Sequence, residues 1–314
     1  MTEPEPSALP FTGERFTPEC VREIWYEHWH RYVFARRIAK GRRVLDAACG
    51  EGYGSALLAD VAAEVIGVDI DAKSIAHARE RYSVHANLRF EQGDATRLDF
   101  PPGRFDLVVC FETLEHVQDQ ERMIAGFARV LTDDGILMVS SPDRHAYSEV
   151  SGFRNEFHVR ELYRDELLAL LKPHFPSVDL FGQKLLFQSA IWALPPERSA
   201  GGHEASTVDR ATQAIAPELD YAPLYFVALC AKGAPPGQMP ALSLFGDRDE
   251  SVYAHYNHEV RKNMDAGRRI AELEAEIERL RTSAGNASAG ASATGDPSTA
   301  GQPRSWWRRR QSEE

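Results

Sequence analysis

The chain has 314 residues, 43% hydrophobic and 26% charged, with a formal net charge of −11. Length and apolar content suit one core domain plus appendages, and no run approaches the roughly 18 apolar residues of a membrane-spanning helix. The negative charge repels phosphates at long range, so no nucleic acid partner is expected, and four cysteines without CxxC spacing read as reduced core thiols rather than a disulfide frame.

Residues 1–20 are Pro-rich and read as a flexible N-terminal segment, and Met1 to Pro6 lacks the basic and apolar regions of a signal peptide, so a cytoplasmic location is expected. Residues 21–40 are helical, with Trp25, Trp29 and Tyr32 or Val33 at spacings of three and four forming an apolar stripe. His28 and His30 cannot both follow that stripe, so one is expected to look toward a ligand and the other to be solvated. Next, Val44 to Ala47 reads as a buried strand running into Gly50, Gly52 and Gly54 and then a helix. Glycines there permit positive φ and leave backbone N–H groups facing a ligand. Ile66 to Asp71 is a second buried strand, with Asp69 placed 19 residues after Gly50 as an acceptor for a ribose diol.

Leu88–Gln92 is a third strand, followed by Gly93, Asp94 and Ala95. Phe105–Phe111 is a nearly continuous apolar fourth strand, as a parallel sheet covered on both faces requires. A helix ends across Val130–Gly135, and Ile136–Ser140 makes the fifth strand. A long connection, 142–160, leads to a helix at Leu162–Leu171 and strands at Val178–Gln183 and Leu224–Cys230. Residues 193–220 read as an inserted mobile loop within a core domain spanning 21–235. Strands alternating with helical stretches argue for right-handed βαβ units.

A dinucleotide fingerprint would place its last small residue at Ser55, whereas this chain has Gly50-x-Gly52-x-Gly54 fed by Asp46. That pattern resembles the first motif of class I S-adenosylmethionine-dependent methyltransferases. The resemblance implies an α/β fold: a Rossmann-like, doubly wound, mostly parallel seven-stranded sheet. It also implies S-adenosyl-L-methionine as cofactor, held by Asp46, Gly50, Gly52, Asp69, Ile70, Asp94, Ala95 and Phe111, with the acid after the third strand taking the adenine amino group.

Glu112, Glu115 and His116 lie at the carboxyl end of the fourth strand, where open α/β sheets place reacting groups. If a helix starts there they stand at i, i+3 and i+4 on one face, and a cation would relieve the repulsion of the carboxylates. The spacing resembles the ExxEH element of metal-dependent O-methyltransferases, including those acting on quinone precursors and on the terminal ribose of small RNAs. That likeness implies His158, in the connection after strand five, as a fourth ligand. The expected site is a divalent ion (Mg, Mn, Fe or Zn) on Glu112, Glu115, His116 and His158. The alternative is a metal-free site in which His116 or His158 is the catalytic base.

Thr12–Phe16, the helix segment Glu27–Tyr32 and Asn155–Leu162 together resemble bacterial methyltransferases of surface polysaccharide assembly, often beside or fused to glycosyltransferases. O-methylation of a sugar or glycan hydroxyl is therefore the leading expectation. A small-molecule acceptor, a phenol or quinone precursor, is the second, and a non-catalytic cofactor-binding scaffold the third. Within 253–283, Ile270, Leu273, Ile277 and Leu280 repeat at three and four, a helix or short coiled coil suited to self-association or a glycosyltransferase partner. Residues 284–314 read as a disordered low-complexity tail. Its basic-aromatic end, 304–310, suits weak contact with the inner face of a membrane, at about 1 kcal/mol per charge.

Overall fold

In the computed structural model, residues 17, 23–191, 204–234, 237 and 239–291 are described. The segment Thr12–Phe16, residues 193–203 of the insertion and the tail from 292 onward, with its basic-aromatic end, lie outside them. Strand β1 (Arg43–Ala47) is central to a sheet whose remaining strands are β2 (Glu64–Asp69), β3 (Leu88–Gln92), β4 (Phe105–Cys110), β5 (Leu131–Pro142), β6 (Ser177–Gln183) and β9 (Tyr225–Ala231). Their order is β3-β2-β1-β4-β5-β9-β6. The first five pair in parallel, and β9 runs antiparallel between β5 and β6. The chain winds outward from β1 to β3, then crosses back to β4, so a switch point opens at the carboxyl ends of β1 and β4.

Burial on both faces explains the apolar strands. Leu45, Val108, Leu137 and Ala228 turn to one face, where α4 (Gln120–Val130) and α5 (Arg164–Leu171) supply Met123, Phe127, Leu167 and Leu171. Val44, Leu107, Met138 and Leu229 turn to the other, against Tyr32, Phe34 and Ile38 of α1 (Glu23–Ala39) and Leu58 of α2 (Tyr53–Ala59). Helix α3 (Ala72–Arg81) is capped by Asp71, whose carboxylate accepts from the backbone of Lys73 and Ser74, and α4 by Asp119, which accepts from Arg122.

Some elements differ from expectation. β5 starts at Leu131, not Ile136, because the chain turns extended directly after α4 and Leu131 pairs with Phe105. On α1 Tyr32 is buried while Val33 is 37% exposed, and the inward face also carries Glu27 and Arg31. The described part of the insertion contains a two-stranded pairing, β7 (Thr207–Val208) with β8 (Ile215–Ala216), closed by a turn in which Asp209 accepts from Ala211 and Thr212. Residues 1–249 and 250–314 form separate compact units, the second holding the helix α6 (Ser251–Ala291). Among the described residues no helix is long and apolar enough to cross a membrane.

Candidate active site

The three glycines after β1 have different reasons to be glycine. Gly50 sits at φ +56 with nothing within 4 Å of where a Cβ would stand, so its open side faces the space beyond the sheet edge. Gly52, at φ +97, would place a Cβ 2.8 Å from Ala78 and from the Phe90 ring, and a Cβ on Gly54 would fall 2.0 Å from the Tyr32 ring. Of the three, only Gly50 has open space where a side chain would stand. Asp69, ending β2, accepts from the Gly50 N–H at 2.8 Å through Oδ2 and from the Asp71 N–H at 2.9 Å through Oδ1, which fixes the shape of the glycine turn. Ile70 beside it is 70% exposed.

Asp94 is held by the Thr96 backbone and hydroxyl, at 2.8 and 2.7 Å. Burial works to raise its pKa, but those two bonds together with Arg97 and Arg122 outweigh it and keep the carboxyl below its ordinary range. Ala95 packs against the core. Phe111, expected at the cofactor, is buried edge-on against Tyr32 at 5.0 Å, so its ring fills the core and only its backbone borders the site.

Asp46 is buried and accepts from the Tyr32 hydroxyl at 3.1 Å and the Ser55 hydroxyl at 2.6 Å. Burial pushes its carboxyl up to about 7; the two hydroxyls pull it down, and Asp69 pushes it up. With the folded value above the ordinary 3.8, the folded chain keeps a proton that the unfolded chain has released. That contribution is full below the unfolded value and is lost as pH rises through about 7. Between about pH 5 and pH 8 the cofactor-free wild type is therefore expected to lose more stability than Asp46→Asn in denaturant titrations. Parallel pH slopes for the two proteins would refute this.

Beyond β4 the chain takes a left-handed step at Glu112, φ +47, and a 3₁₀ turn over Leu114–His116. The expected helical face of Glu112, Glu115 and His116 does not form, because the helical turn begins two residues after Glu112. Glu112 instead accepts from the Ser140 hydroxyl at 2.7 Å and lies 3.5 Å from Arg31 Nη2. Glu115, His116 and His158 do converge: one ligand atom from each lies within 4.8 Å of the others. Glu115 is 1% exposed, and its Oε2 has no hydrogen-bond partner among the described residues. Burial first, then Glu112, push its carboxyl well above the ordinary range.

The tautomers of both histidines follow from their partners. His116 Nδ1 lies 3.0 Å from the Phe157 carbonyl, which can only accept, so Nδ1 carries a proton and, in the neutral ring, Nε2 is the acceptor. His158 Nδ1 donates to Glu161 at 2.6 Å, and its Nε2 accepts from the Asn155 amide at 3.0 Å. A π-helical turn, His145–Val150, stacks Tyr147 on the His158 ring. Both rings thus present Nε2 as acceptor, the state required of a proton acceptor and of a metal ligand alike. Asn155 and Glu161 entered from sequence only as part of the Asn155–Leu162 segment, without a role, and Tyr147 not at all; the i, i+3 spacing of His158 and Glu161 is the signal that could have given Glu161 its role.

A second polar cluster was missed. Arg31 is 2% exposed; its Nε donates to Gln183 at 2.7 Å, its guanidinium lies 4.5 Å over the Tyr225 ring, and Nη1 has no hydrogen-bond partner among the described residues. Burial raises Glu27 to about 7, against the opposing pull of Arg31. The i, i+4 spacing of Glu27 and Arg31 was its only local signal. His30, expected to be solvated if His28 faced a ligand, is 2.9 Å from the Ser243 hydroxyl and stacks on Phe245, and burial lowers the pKa of both histidines.

A doubly wound sheet with an open glycine turn, a second-strand acid and acid-base groups at the switch point defines a transferase that binds a nucleoside-type cofactor. The methyltransferase-domain family matches residues 45–139. A probable S-adenosylmethionine-dependent methyltransferase of Mycolicibacterium smegmatis is 41% identical over 210 residues, covering 66% of this chain and 79% of the relative. One from Mycobacterium tuberculosis is 41% identical over 169 residues, covering 53% and 61%. The ubiquinone biosynthesis O-methyltransferase of Thiobacillus denitrificans is 35% identical over 122 residues, covering 38% and 52%, so the chain spans about half that relative's length. The chain belongs to the S-adenosylmethionine-dependent methyltransferases: it is a methyl-transferring enzyme whose cofactor is S-adenosylmethionine.

Proposed function

We propose that the enzyme methylates a hydroxyl oxygen of a sugar or glycan in surface polysaccharide assembly, assisted by a divalent ion on Glu115, His116 and His158. The observation that carries the reading is the buried Glu115 carboxylate, which converges with two imidazoles and whose Oε2 has no hydrogen-bond partner among the described residues. Such an atom is costly to bury unless a proton or a cation meets it. Mixed nitrogen and oxygen ligands suit Mg, Mn, Fe or Zn, and binding would exchange the Asn155 hydrogen bond on His158. Glu112 is left out of this set, being engaged with Arg31 and Ser140.

The cofactor residues are proposed to be Gly50 and Gly52 at the turn, Asp46 and Asp69 around it, and Ile70, Asp94, Ala95 and the backbone of Phe111 along the rim. Arg31, with unfilled donors beside Glu112, suits the cofactor's carboxylate. When bound, S-adenosylmethionine supplies a methyl on a positively charged sulfur, open to in-line displacement. This chain must then relieve an alcohol of its proton. His116 Nε2 is the acceptor, its ring held by the Phe157 carbonyl, and His158 Nε2 is the second, held by Glu161. A bound ion would acidify the same hydroxyl.

The sugar reading rests on the resemblance of Glu27–Tyr32 and Asn155–Leu162 to methyltransferases of polysaccharide assembly. The 620 Å³ cleft that α1 borders is lined by Leu180, Leu186 and Leu244 as well as by Glu27, His30 and Gln183, and by none of Glu115, His116 and His158, so it does not choose between acceptors. The likeness to a ubiquinone biosynthesis O-methyltransferase favours the second reading, a phenol or quinone precursor. A pure scaffold has no use for converging acid and base groups. A cytoplasmic enzyme touching the membrane through 304–310 fits the glycan reading. The test is to incubate the protein with labelled cofactor and fractionated cell glycans, with and without a chelator. Label in a glycan fraction, lost with chelator, is expected. Chelator-insensitive transfer removes the ion, and label only in a phenolic fraction selects the second acceptor.

A further inference from the structure

We infer that α6 pairs with α6 of a second copy of this chain as a parallel, in-register, two-stranded coiled coil. From Asn263 onward the residues fall into heptads whose first and fourth positions are Asn263 and Ala266, Ile270 and Leu273, Ile277 and Leu280. The two isoleucines and two leucines are 45–60% exposed, a continuous apolar stripe with no cover among the described residues. Upstream, Tyr256, Val260 and Met264 step by four and drift around the helix, which confines the pairing seam to 263–283.

What covers the stripe follows from its chemistry. Isoleucine at the first position with leucine at the fourth is the combination that packs in parallel pairs, and a single asparagine at a first position fixes register by meeting its own copy. The flanking charges agree. Arg269 and Glu276 immediately precede first positions; Glu274 and Arg281 immediately follow fourth positions. In a parallel, in-register pair the preceding residue faces the one five places further along the other helix. Arg269 thus faces Glu274 and Glu276 faces Arg281, each contact repeated by the two-fold axis, with no like charges opposed. Charge alone also permits an antiparallel pair, in which Arg269 would meet Glu276 and Glu274 would meet Arg281; the parallel arrangement follows from the isoleucine-leucine layers and from Asn263 meeting its own copy. In the single helix Arg269 is held by Glu272 at 3.0 Å and Glu276 by Arg279, partners on the outer side that pairing would exchange for the residues across the seam.

This inference is independent of the acceptor and of the metal. The test is sedimentation of the full chain, which is expected to give a species of twice the 35.1 kDa chain mass. Glu274→Arg with Arg281→Glu opposes like charges across the seam, and so does Arg269→Glu with Glu276→Arg. Each double variant alone is expected to self-associate at least about tenfold more weakly, whereas an equal mixture of the two restores a one-to-one dimer, since every facing pair is again opposite in sign. The inference is overturned if the wild type stays monomeric to about 100 µM. It is equally overturned if the separate variants dimerise like the wild type, or if the mixture restores nothing.

Discussion

Replacing His116 with asparagine is expected to lower methyl transfer by roughly a hundred- to ten-thousandfold, with cofactor affinity changed by less than about threefold. Asparagine can place its amide near the position of Nδ1, so the hydrogen bond to the Phe157 carbonyl and the course of the 155–161 segment can survive. What disappears is the Nε2 acceptor facing Glu115 at 3.9 Å. His116 is a ligand in the metal-dependent version and the first acceptor, ahead of His158, in the metal-free one, so both versions predict the loss. Added ion separates them: a metal-dependent site shows a variant defect that excess ion partly repairs, whereas a directly acting base shows no such repair. Isothermal titration with S-adenosylmethionine and melting of the variant provide the controls. A His116→Asn enzyme with near-normal turnover would remove this side chain from the chemistry.

Legibility in the sequence follows how local each cause is. Strands β1, β2 and β4 were readable because burial on both faces demands apolar runs, and Phe105–Cys110 meets that demand unaided, whereas the edge strand β3 buries only Phe90. The start of β5 was not, since Thr132-Asp133-Asp134-Gly135 has turn chemistry and is drawn into the strand by its neighbours. Within the site, the meeting of Glu115, His116 and His158 was anticipated from two short segments and their place in the chain order. The position of Glu112 was hidden because its left-handed conformation accompanies a contact with Ser140, 28 residues away. Arg31 was hidden more deeply. A charged residue on a surface helix reads as solvated, and its burial depends on Gln183 and Tyr225, which the sequence separates from it by more than a hundred positions.

Gly54→Ala tests whether the glycine turn is shaped by packing as well as by its ligand, and its sign runs against local propensity. Gly54 is helical, in α2, where alanine should gain up to about 1 kcal/mol. The added Cβ, however, would stand 2.0 Å from Tyr32 Cζ and 2.2 and 2.4 Å from its Cε atoms. That ring cannot swing freely: it is wedged edge-on against Phe111 at 5.0 Å and Tyr53 at 5.2 Å. Displacing it also takes the hydroxyl from Asp46, leaving a buried carboxylate with the Ser55 hydroxyl alone. Overpacking of about 1–3 kcal/mol and a buried acceptor short of a partner at about 1–3 kcal/mol together predict destabilisation on the order of 3–5 kcal/mol. In a Tyr32→Leu background the clash and the lost hydrogen bond are both already gone, so the same substitution is expected to cost less than about 1 kcal/mol. Denaturant titration of the four proteins in this cycle measures the coupling, and an equal cost of Gly54→Ala in both backgrounds would show that Tyr32 is not what holds position 54 to glycine.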